Sequence, residues 1–374
     1  MSKLYKITHV TSVHQRYDTR IFLKMCISLS KNINFEVNLI VADGYRNEIN
    51  KGINIYDVGV NEGGRFSRMI KTVRKVFNKS KELDSDIYHL HDPELIPMGI
   101  KLKKLGKKVI FDCHEDFLKQ LLNKPYFNGL TGIIFSKIFM IYEKKTLKNF
   151  DIIITATDFI RDRYLKINKN TFVINNYPII NKSKSFKDWK SKENKICYVG
   201  GIDKSRGIYE LIEAMSYTNE VILTLAGNFK EKKDRINLVQ HKSWDKVIEL
   251  GYIDKPRVLK VYQESKIGIV TLHPQINYID SLPVKMFEYM EASIPVIASD
   301  FPVWKSIIEQ NNCGICVDPL NPKAVSDAIK YLFENENISQ IMGENGRNAI
   351  LDFYNWSIEE LKLLNLYKKI TNSN

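Results

Sequence analysis

Cysteine is sparse in this sequence, and apolar runs of membrane-spanning length are missing from it. The five cysteines (Cys26, Cys113, Cys197, Cys313 and Cys316) are odd in number, scattered and mostly set within apolar runs. That pattern excludes a disulfide framework and reads as reduced core thiols of a cytosolic protein. Cys313-Gly-Ile-Cys316 has no second cysteine pair to complete a zinc site, so packing is the better reading. The opening MSKLYKITHVTS lacks the apolar core and small-residue cleavage site of a signal peptide. The longest apolar stretch, Leu130 to Tyr142, is about 13 residues, carries Lys137 and falls short of the roughly 20 that span a bilayer. Any membrane contact is therefore expected to be peripheral. Negative charge is also short: 43 acidic residues stand against 56 Lys and Arg, for a net charge of +13. Such an excess suits an anionic partner: nucleic acid, an anionic bilayer or a phosphate-bearing substrate. No recognition helix, zinc pattern or aromatic RNA motif accompanies it, so a specific nucleic-acid partner is not expected.

What is present is a large, ordinary globular composition. With 374 residues, 44% hydrophobic and 26% charged, the chain exceeds what one core usually organises, which points to two domains. Short apolar runs alternate with longer amphipathic ones from KITHVTSV onward, the rhythm of βαβ units and a parallel sheet. Strands are expected at Gly52–Val58, Ile87–His91, Lys108–Cys113, Ile152–Ala156 and Phe172–Asn175. The rhythm lapses in YPIINKSKSFKDWKSKEN and restarts at KICYVG, with VILTLAG, KVIELGY, IGIVTL, PVIASD and GICVDP as later strands. The expected organisation is an N-terminal Rossmann-like domain over 1–180, a linker over 181–194 and a second Rossmann-like domain over 195–355. A C-terminal helix over 356–374, opened by Ser357 and Glu360 as a capping box, is expected to dock back on the first domain.

The most informative segment is Asp280-Ser-Leu-Pro-Val-Lys-Met-Phe-Glu288. Pro283 suits a first helical turn, and Glu288, two turns after Asp280, shares its face. The free backbone N–H groups around Ser281 to Val284, a stretch with Leu282 and Pro283 between them, form a phosphate cradle with the helix dipole behind them, and Glu288 reaches ribose hydroxyls. The competing reading is an amphipathic helix with solvated acids. His114 closes a strand at the carboxyl edge of the first sheet, where doubly wound folds bind ligands. His14, Asp18 and Arg20 lie in the first loop at the same edge and are expected to line the acceptor side. His89, His91 and Asp92 suggest a metal by spacing, but alternation along a strand separates His91 from Asp92. Asp84-Ser85-Asp86 precedes a strand and reads as a turn. No metal is expected. A basic amphipathic stretch with Arg65, Arg68, Lys71, Arg74, Lys75 and Lys79, and the apolar LLNKPYFNGLTGIIFSKIFMIY, fit either lipid contact or ordinary packing.

The Asp280–Glu288 segment resembles the carboxylate pair of GT-B glycosyltransferases, in particular glycosyltransferase family 4, with Asp in place of the first Glu. HVTSVHQRYDTRIFLK, HLHDPELIP, VIFDCHEDF, TATDFIRDRY and YVGGIDKSRGIYELIEAM follow in family order. The resemblance implies two Rossmann-like domains facing a central cleft, with the nucleotide-sugar donor held by the second domain and the acceptor by the first. It implies a donor diphosphate held by two cations. Arg206 fits one position; the other is Gly201, and Lys285 is the candidate replacement. It casts His114 and Asp280 as the groups at the reacting sugar. It further implies a retaining, metal-independent hexosyltransferase without added cofactor. A UDP-sugar is the favoured donor over a GDP-sugar, and the acceptor is a glycan on a polyprenyl diphosphate lipid at the inner face of the cell membrane. Bacterial O-antigen, capsule or exopolysaccharide synthesis is the implied setting. A sugar-nucleotide epimerase of the same fold is the alternative enzyme, and a nucleic-acid-binding protein the non-enzymatic one.

Overall fold

The structure, a computed structural model, describes residues 3–60, 68–115, 118, 130–180 and 189–372. The side chains of Arg65 and Arg68 in the basic stretch, most of LLNKPYFNGL and linker residues 181–188 lie outside that description. The chain forms two units, Met1–Asn176 with Trp356–Asn374, and Tyr177–Asn355.

The first unit is built on β1 (Tyr5–Val10), β2 (Phe35–Val41), β3 (Glu48–Asn50), β4 (Ile53–Asp57), β5 (Ile87–Leu90), β6 (Lys108–Cys113), β7 (Ile152–Thr155) and β8 (Thr171–Val173). Their order is β3-β4-β2-β1-β5-β6-β7-β8, parallel apart from the β3–β4 pair. Both faces of this sheet are covered, which is why its central strands are apolar on both sides. The period of two divides β6 between cores: Ile110 joins the one with Ile7 and Leu39, while Val109 and Phe111 join the one with Val10 and Leu90. The C-terminal helix Trp356–Asn372 completes the first of these through Trp356, Leu363, Leu366, Tyr367 and Ile370. Ser357 lies inside that helix and Glu360 pairs with Lys31 at 2.7 Å, so the expected capping box does not form.

The second unit holds β9 (Lys195–Val199), β10 (Ile222–Ala226), β11 (Val247–Gly251), β12 (Ile267–Val270), β13 (Val296–Ser299) and β14 (Gly314–Val317). All pairings are parallel, in the order β11-β10-β9-β12-β13-β14. The chain enters this unit at Tyr177, ahead of the expected linker. The Tyr177 ring packs edge-on against Phe287 and Tyr354, at 5.0 and 5.4 Å between centroids. Trp189, which falls within the expected linker, is buried in the core around Ile196 and Tyr198. These aromatic anchors explain why a stretch that is polar by composition belongs to the second unit.

In each sheet the first strand has neighbours reached by opposite crossovers: β2 and β5 flank β1, and β10 and β12 flank β9. The loops leaving such a strand pair diverge and open a crevice at its carboxyl end. A candidate site lies at the switch point of each unit.

Candidate active site

In the second unit β9 runs out through Gly200 and Gly201 into the turn Lys204–Arg206. Gly207 ends that turn at φ 71°, and a Cβ there would stand 1.9 Å from the Thr271 carbonyl oxygen. Only glycine lets the turn close against the segment after β12. A Cβ on Gly200 would approach Lys285 Nζ to 2.6 Å. Lys285 sits in the first turn of the helix Val284–Glu291, with Nζ 3.9 Å from the centroid of the Tyr198 ring. The Tyr198 hydroxyl donates to the Gly201 carbonyl at 2.7 Å, which fixes the ring. Lys285 thus lies alongside the Gly200-Gly201 step, where the family arginine is absent.

Lys285 Nζ and Arg206 Nε are both shut off from solvent without a hydrogen-bond partner. Burial, followed by repulsion from Arg206, brings the Lys285 ammonium down to about 7, against attraction from Glu288 and Asp203. The Arg206 guanidinium lies 5.2 Å from the Tyr278 ring centroid. Two buried cationic atoms, Lys285 Nζ and the Nε of a half-buried Arg206, that have no acceptor are costly to maintain. An anion reaching both would relieve that cost.

The helix start beside them is narrower than expected. Ser281 N–H is already committed to the Tyr278 carbonyl at 3.0 Å, and Pro283 is the extended capping residue ahead of the helix. That leaves the amides of Leu282, Val284 and Lys285, the last two in the first helical turn. The loop is held from below, because Trp304 Nε1 donates to the Ser281 carbonyl at 2.5 Å. Asp280 is half-buried in the turn leading into the helix. Glu288 is one turn beyond Lys285 on the same face, and its Oε2 accepts from Tyr262 OH at 2.9 Å.

At the switch point of the first unit, Asp92 organises the loop after β1. Its Oδ2 accepts from Thr11 Oγ1 at 2.8 Å and from Ser12 N at 2.6 Å. His14 lies between two carboxylates, with Nδ1 3.5 Å from Asp18 and Nε2 3.4 Å from Asp92. Burial opposes its protonation, but Asp18, Asp92 and Asp112 outweigh it and raise its pKa. Asp18 also caps the following helix, accepting from Arg20 N and Ile21 N at 2.8 and 2.9 Å. Burial works against its charge, yet His14 and these amides hold its carboxyl well below the usual range. The His114 ring is 5.2 Å from that of His14, and Nε2 is 2.9 Å from Asp112 Oδ2.

Arg20 differs from expectation. Instead of lining the acceptor side it turns inward, where Nε and Nη2 grip both oxygens of Asp112 at 2.9 and 2.7 Å, and Nη1 donates to the Ile174 carbonyl. The bidentate pair leaves no N–H edge facing outward, so Arg20 supports the site from beneath. The aspartates of Asp84-Ser85-Asp86 point apart: Asp84 pairs with Lys107 at 2.6 Å, and Asp86 accepts from Lys6 N at 2.9 Å. Among the described residues two groups of side chains could converge on a metal ion, His9 with His89 and His91, and His91 with Asp112 and His114. The set weighed and set aside in the sequence, His89, His91 and Asp92, is not among them.

Two doubly wound units, one with enclosed cations at a helix start and the other with an imidazole–carboxylate edge, have the architecture of GT-B glycosyltransferases. Residues 20–176 match the family model described as Glycosyltransferase Family 4, and residues 180–349 match Glycosyl transferases group 1. The chain belongs to these glycosyltransferases and is a transferase of GT-B fold. Among its relatives is an uncharacterised glycosyltransferase of Methanocaldococcus jannaschii, 23% identical over 72% of this chain and 69% of that protein. Another is the O-antigen chain mannosyltransferase C of Escherichia coli, 21% identical over 80% and 79%. Similar solved folds include sucrose-phosphate synthase from Thermosynechococcus elongatus, with a TM-score of 0.77 and 17% identity over 99% of this chain and 100% of that one. Anabaena HepE in complex with UDP-glucose superposes with a TM-score of 0.72 and 13% identity over 98% and 100%.

Proposed function

We propose that the protein moves a hexose from a nucleoside diphosphate donor to a hydroxyl of a glycan acceptor, in the assembly of a bacterial surface polysaccharide. The observation that carries the donor site is the pair of enclosed, unpartnered cationic atoms, Lys285 Nζ and Arg206 Nε, beside the helix start at Val284. A diphosphate satisfies both, and in the bond-breaking step its growing charge falls on two cations and a helix dipole. That charge neutralisation is the work a divalent metal does elsewhere, so we read transfer as metal-independent. Glu288, steadied by Tyr262, binds the ribose hydroxyls. Asp280 and His114 attend the sugar, and His14 with Asp18 lies on the acceptor side. We read the transfer as retaining, in line with the resemblance to glycosyltransferase family 4. A UDP-sugar is the favoured donor, in keeping with the UDP-glucose complex of the structurally similar HepE.

A lipid-linked acceptor and a bilayer surface fit the outer stripe of the helix Leu130–Leu147. Ile133, Ile134, Ile138, Met140 and Ile141 are all exposed there. The stripe continues into exposed Lys144, Lys145 and Lys148. An apolar patch followed by lysines matches a bilayer interface with anionic headgroups. No described helix is long and apolar enough to cross a membrane. Among the relatives, the E. coli O-antigen mannosyltransferase supports placement in O-antigen assembly.

The direct test is thermal stabilisation by UDP-, GDP-, CMP- and ADP-sugars, each with and without a chelator, since a ligand of the folded state must raise its apparent stability. A base-selective shift that survives chelation is expected. A shift that vanishes with chelator would end the metal-independent reading, and no shift with any donor would remove the proposed site.

A further inference from the structure

Beneath His114 lies a run of hydrogen-bonding side chains that the donor and acceptor readings do not use. His91 Nδ1 is 3.2 Å from Asp112 Oδ2, and His91 Nε2 is 2.9 Å from His9 Nδ1. His9 Nε2 is 3.4 Å from Tyr367 OH, which in turn is 2.8 Å from His89 Nδ1. His9, His89 and Tyr367 are 0% exposed and His91 is 3% exposed. The run therefore joins the C-terminal helix, through β1 and β5, to the end of β6.

The proton positions follow from the carboxylate. Asp112 is held by the Arg20 fork and stays ionised, so it only accepts. A bare imidazole nitrogen facing it at these distances would set lone pair against lone pair. His91 Nδ1 and His114 Nε2 lie 3.1 Å from each other and 3.2 and 2.9 Å from the same oxygen; whichever were bare would face the carboxylate, so both carry hydrogen and donate to Asp112 rather than to each other. Burial keeps His91 neutral, with its pKa lowered to about 4, and pushes His9 well down as well. A neutral His91 protonated on Nδ1 is bare on Nε2, so His9 must donate from Nδ1. His9 is then bare on Nε2 and accepts from Tyr367. Every donor points toward Asp112, and the far end, His89 Nε2, is buried without a partner. A chain closed at that end holds protons in place and conducts none.

We propose that Asp112 locks His114 in the tautomer with its proton on Nε2, leaving Nδ1 as an acceptor for a hydroxyl of the bound sugar, and that Tyr367, His9 and His91 are positioning residues that hold the His91 donor on the same Asp112 oxygen. The role of that hydroxyl rests on the sugar-transfer reading, whereas the tautomer does not. The same histidines are poorly arranged for a metal. His9 and His91 share a proton across 2.9 Å, and the rings of His89 and His91 stack 16° from parallel at 4.5 Å, so their in-plane lone pairs run side by side.

The experiment is long-range proton–nitrogen NMR of the full chain labelled with 15N-histidine, without any donor, which reports each ring's tautomer directly. His114 is expected as the Nε2–H form, and His9 and His91 as Nδ1–H forms. Tyr367→Phe keeps the ring but removes the donor to His9, and should shift the His9 tautomer ratio by about fivefold toward Nε2–H, the effect of one ordinary hydrogen bond. If Tyr367 only packs, that variant lowers the melting temperature and leaves the histidine signals unchanged, which overturns the proposal. An Nδ1–H form of His114, or one equivalent of zinc shifting His9, His89 and His91 together, also overturns it. Should Tyr367→Phe fail to fold, His9→Asn replaces the Nδ1–H donor with an amide and is read at His91 and His114 alone. Because these measurements need no donor, they stand even if the donor panel shows no binding.

Discussion

Lys285 Nζ lies 3.9 Å from the centre of the Tyr198 ring and has no hydrogen-bond acceptor, although it is closed off from solvent. The aromatic face recovers part of what the ammonium loses on leaving water. Glycine at 200 makes room for it, since any side chain there would meet Nζ. The arrangement places a cation where binding energy is stored for a ligand.

Stability and donor binding should therefore move in opposite directions in Lys285→Met. An apolar side chain of similar length removes an unsatisfied buried amine and should stabilise the free protein by about 1–2 kcal/mol. The same change should weaken nucleoside diphosphate binding by about tenfold or more. Thermal melts without donor and calorimetric titration with it give both numbers. A destabilised variant with unaltered donor affinity would show that Lys285 serves the fold alone.

The lowered Lys285 pKa also sets a pH dependence. The folded protein releases this proton near pH 7, whereas the unfolded chain keeps it to the ordinary value of 10.5. Between those values the unfolded state binds the additional proton, so this group makes stability rise with pH. Donor binding runs the other way, because the diphosphate selects the charged amine. Affinity should fall by about tenfold per pH unit above 7, and titrations in buffers of different ionisation enthalpy should show uptake of about one proton at pH 8. Lys285→Arg, which stays charged, should abolish both effects; their persistence would assign them to another group.

Much of this was legible in the sequence because its signals are local. Strand rhythm located the sheets: the expected Lys108–Cys113 is β6 without change, and Ile152–Ala156 overshoots β7 by its last residue. The spacing from Lys285 to Glu288 placed both on one helical face. Contacts between distant segments were hidden. Arg20 looked like a loop residue facing ligand because its partner Asp112 is on another strand. The buried histidines were misjudged for a related reason. Spacing drew attention to His89, His91 and Asp92, but the neighbour that matters is His9, opposite His89 in the β1–β5 register. Alternation does put His89 and His91 on one face, so a doubly wound strand order would have brought His9 to them. Nothing local marks Tyr262 or Tyr367 as more than packing aromatics. Trp189 shows the converse error, a single aromatic anchoring a stretch that composition assigned to a linker, and Tyr177 belongs to the second unit although the first domain was expected to run to residue 180.

Tyr262 is the residue whose role the structure adds to the donor site. Its ring is buried against Tyr289 and its hydroxyl holds Glu288 Oε2 at 2.9 Å. Tyr262→Phe removes the hydroxyl and keeps the packing, so Glu288 gains freedom while the fold stays intact. Donor KM should rise about three- to tenfold with kcat little changed, the size expected for one hydrogen bond to a charged group. Glu288→Gln should lose more, and the double variant should be no worse than Glu288→Gln alone. Additive losses would mean that Tyr262 does not act through Glu288.

The stripe on Leu130–Leu147 makes a prediction separate from catalysis. Ile134 and Ile138 are 57% and 61% exposed, one turn apart, with Lys137 between them and Lys144, Lys145 and Lys148 further along. Apolar insertion and headgroup attraction should each contribute, so binding to vesicles should require anionic lipid and weaken with salt. Ile134→Glu with Ile138→Glu replaces apolar contact by repulsion and should reduce co-sedimentation with phosphatidylglycerol vesicles by tenfold or more. Both positions face outward, so the melting temperature should stay within about 1–2 °C of the parent. Transfer to a short water-soluble acceptor should be unaffected, while transfer to a lipid-linked acceptor in vesicles should fall with the binding. Equal loss on both acceptors would place this stripe in the catalytic half-site, and equal binding to neutral and anionic vesicles would deny the lysines their part.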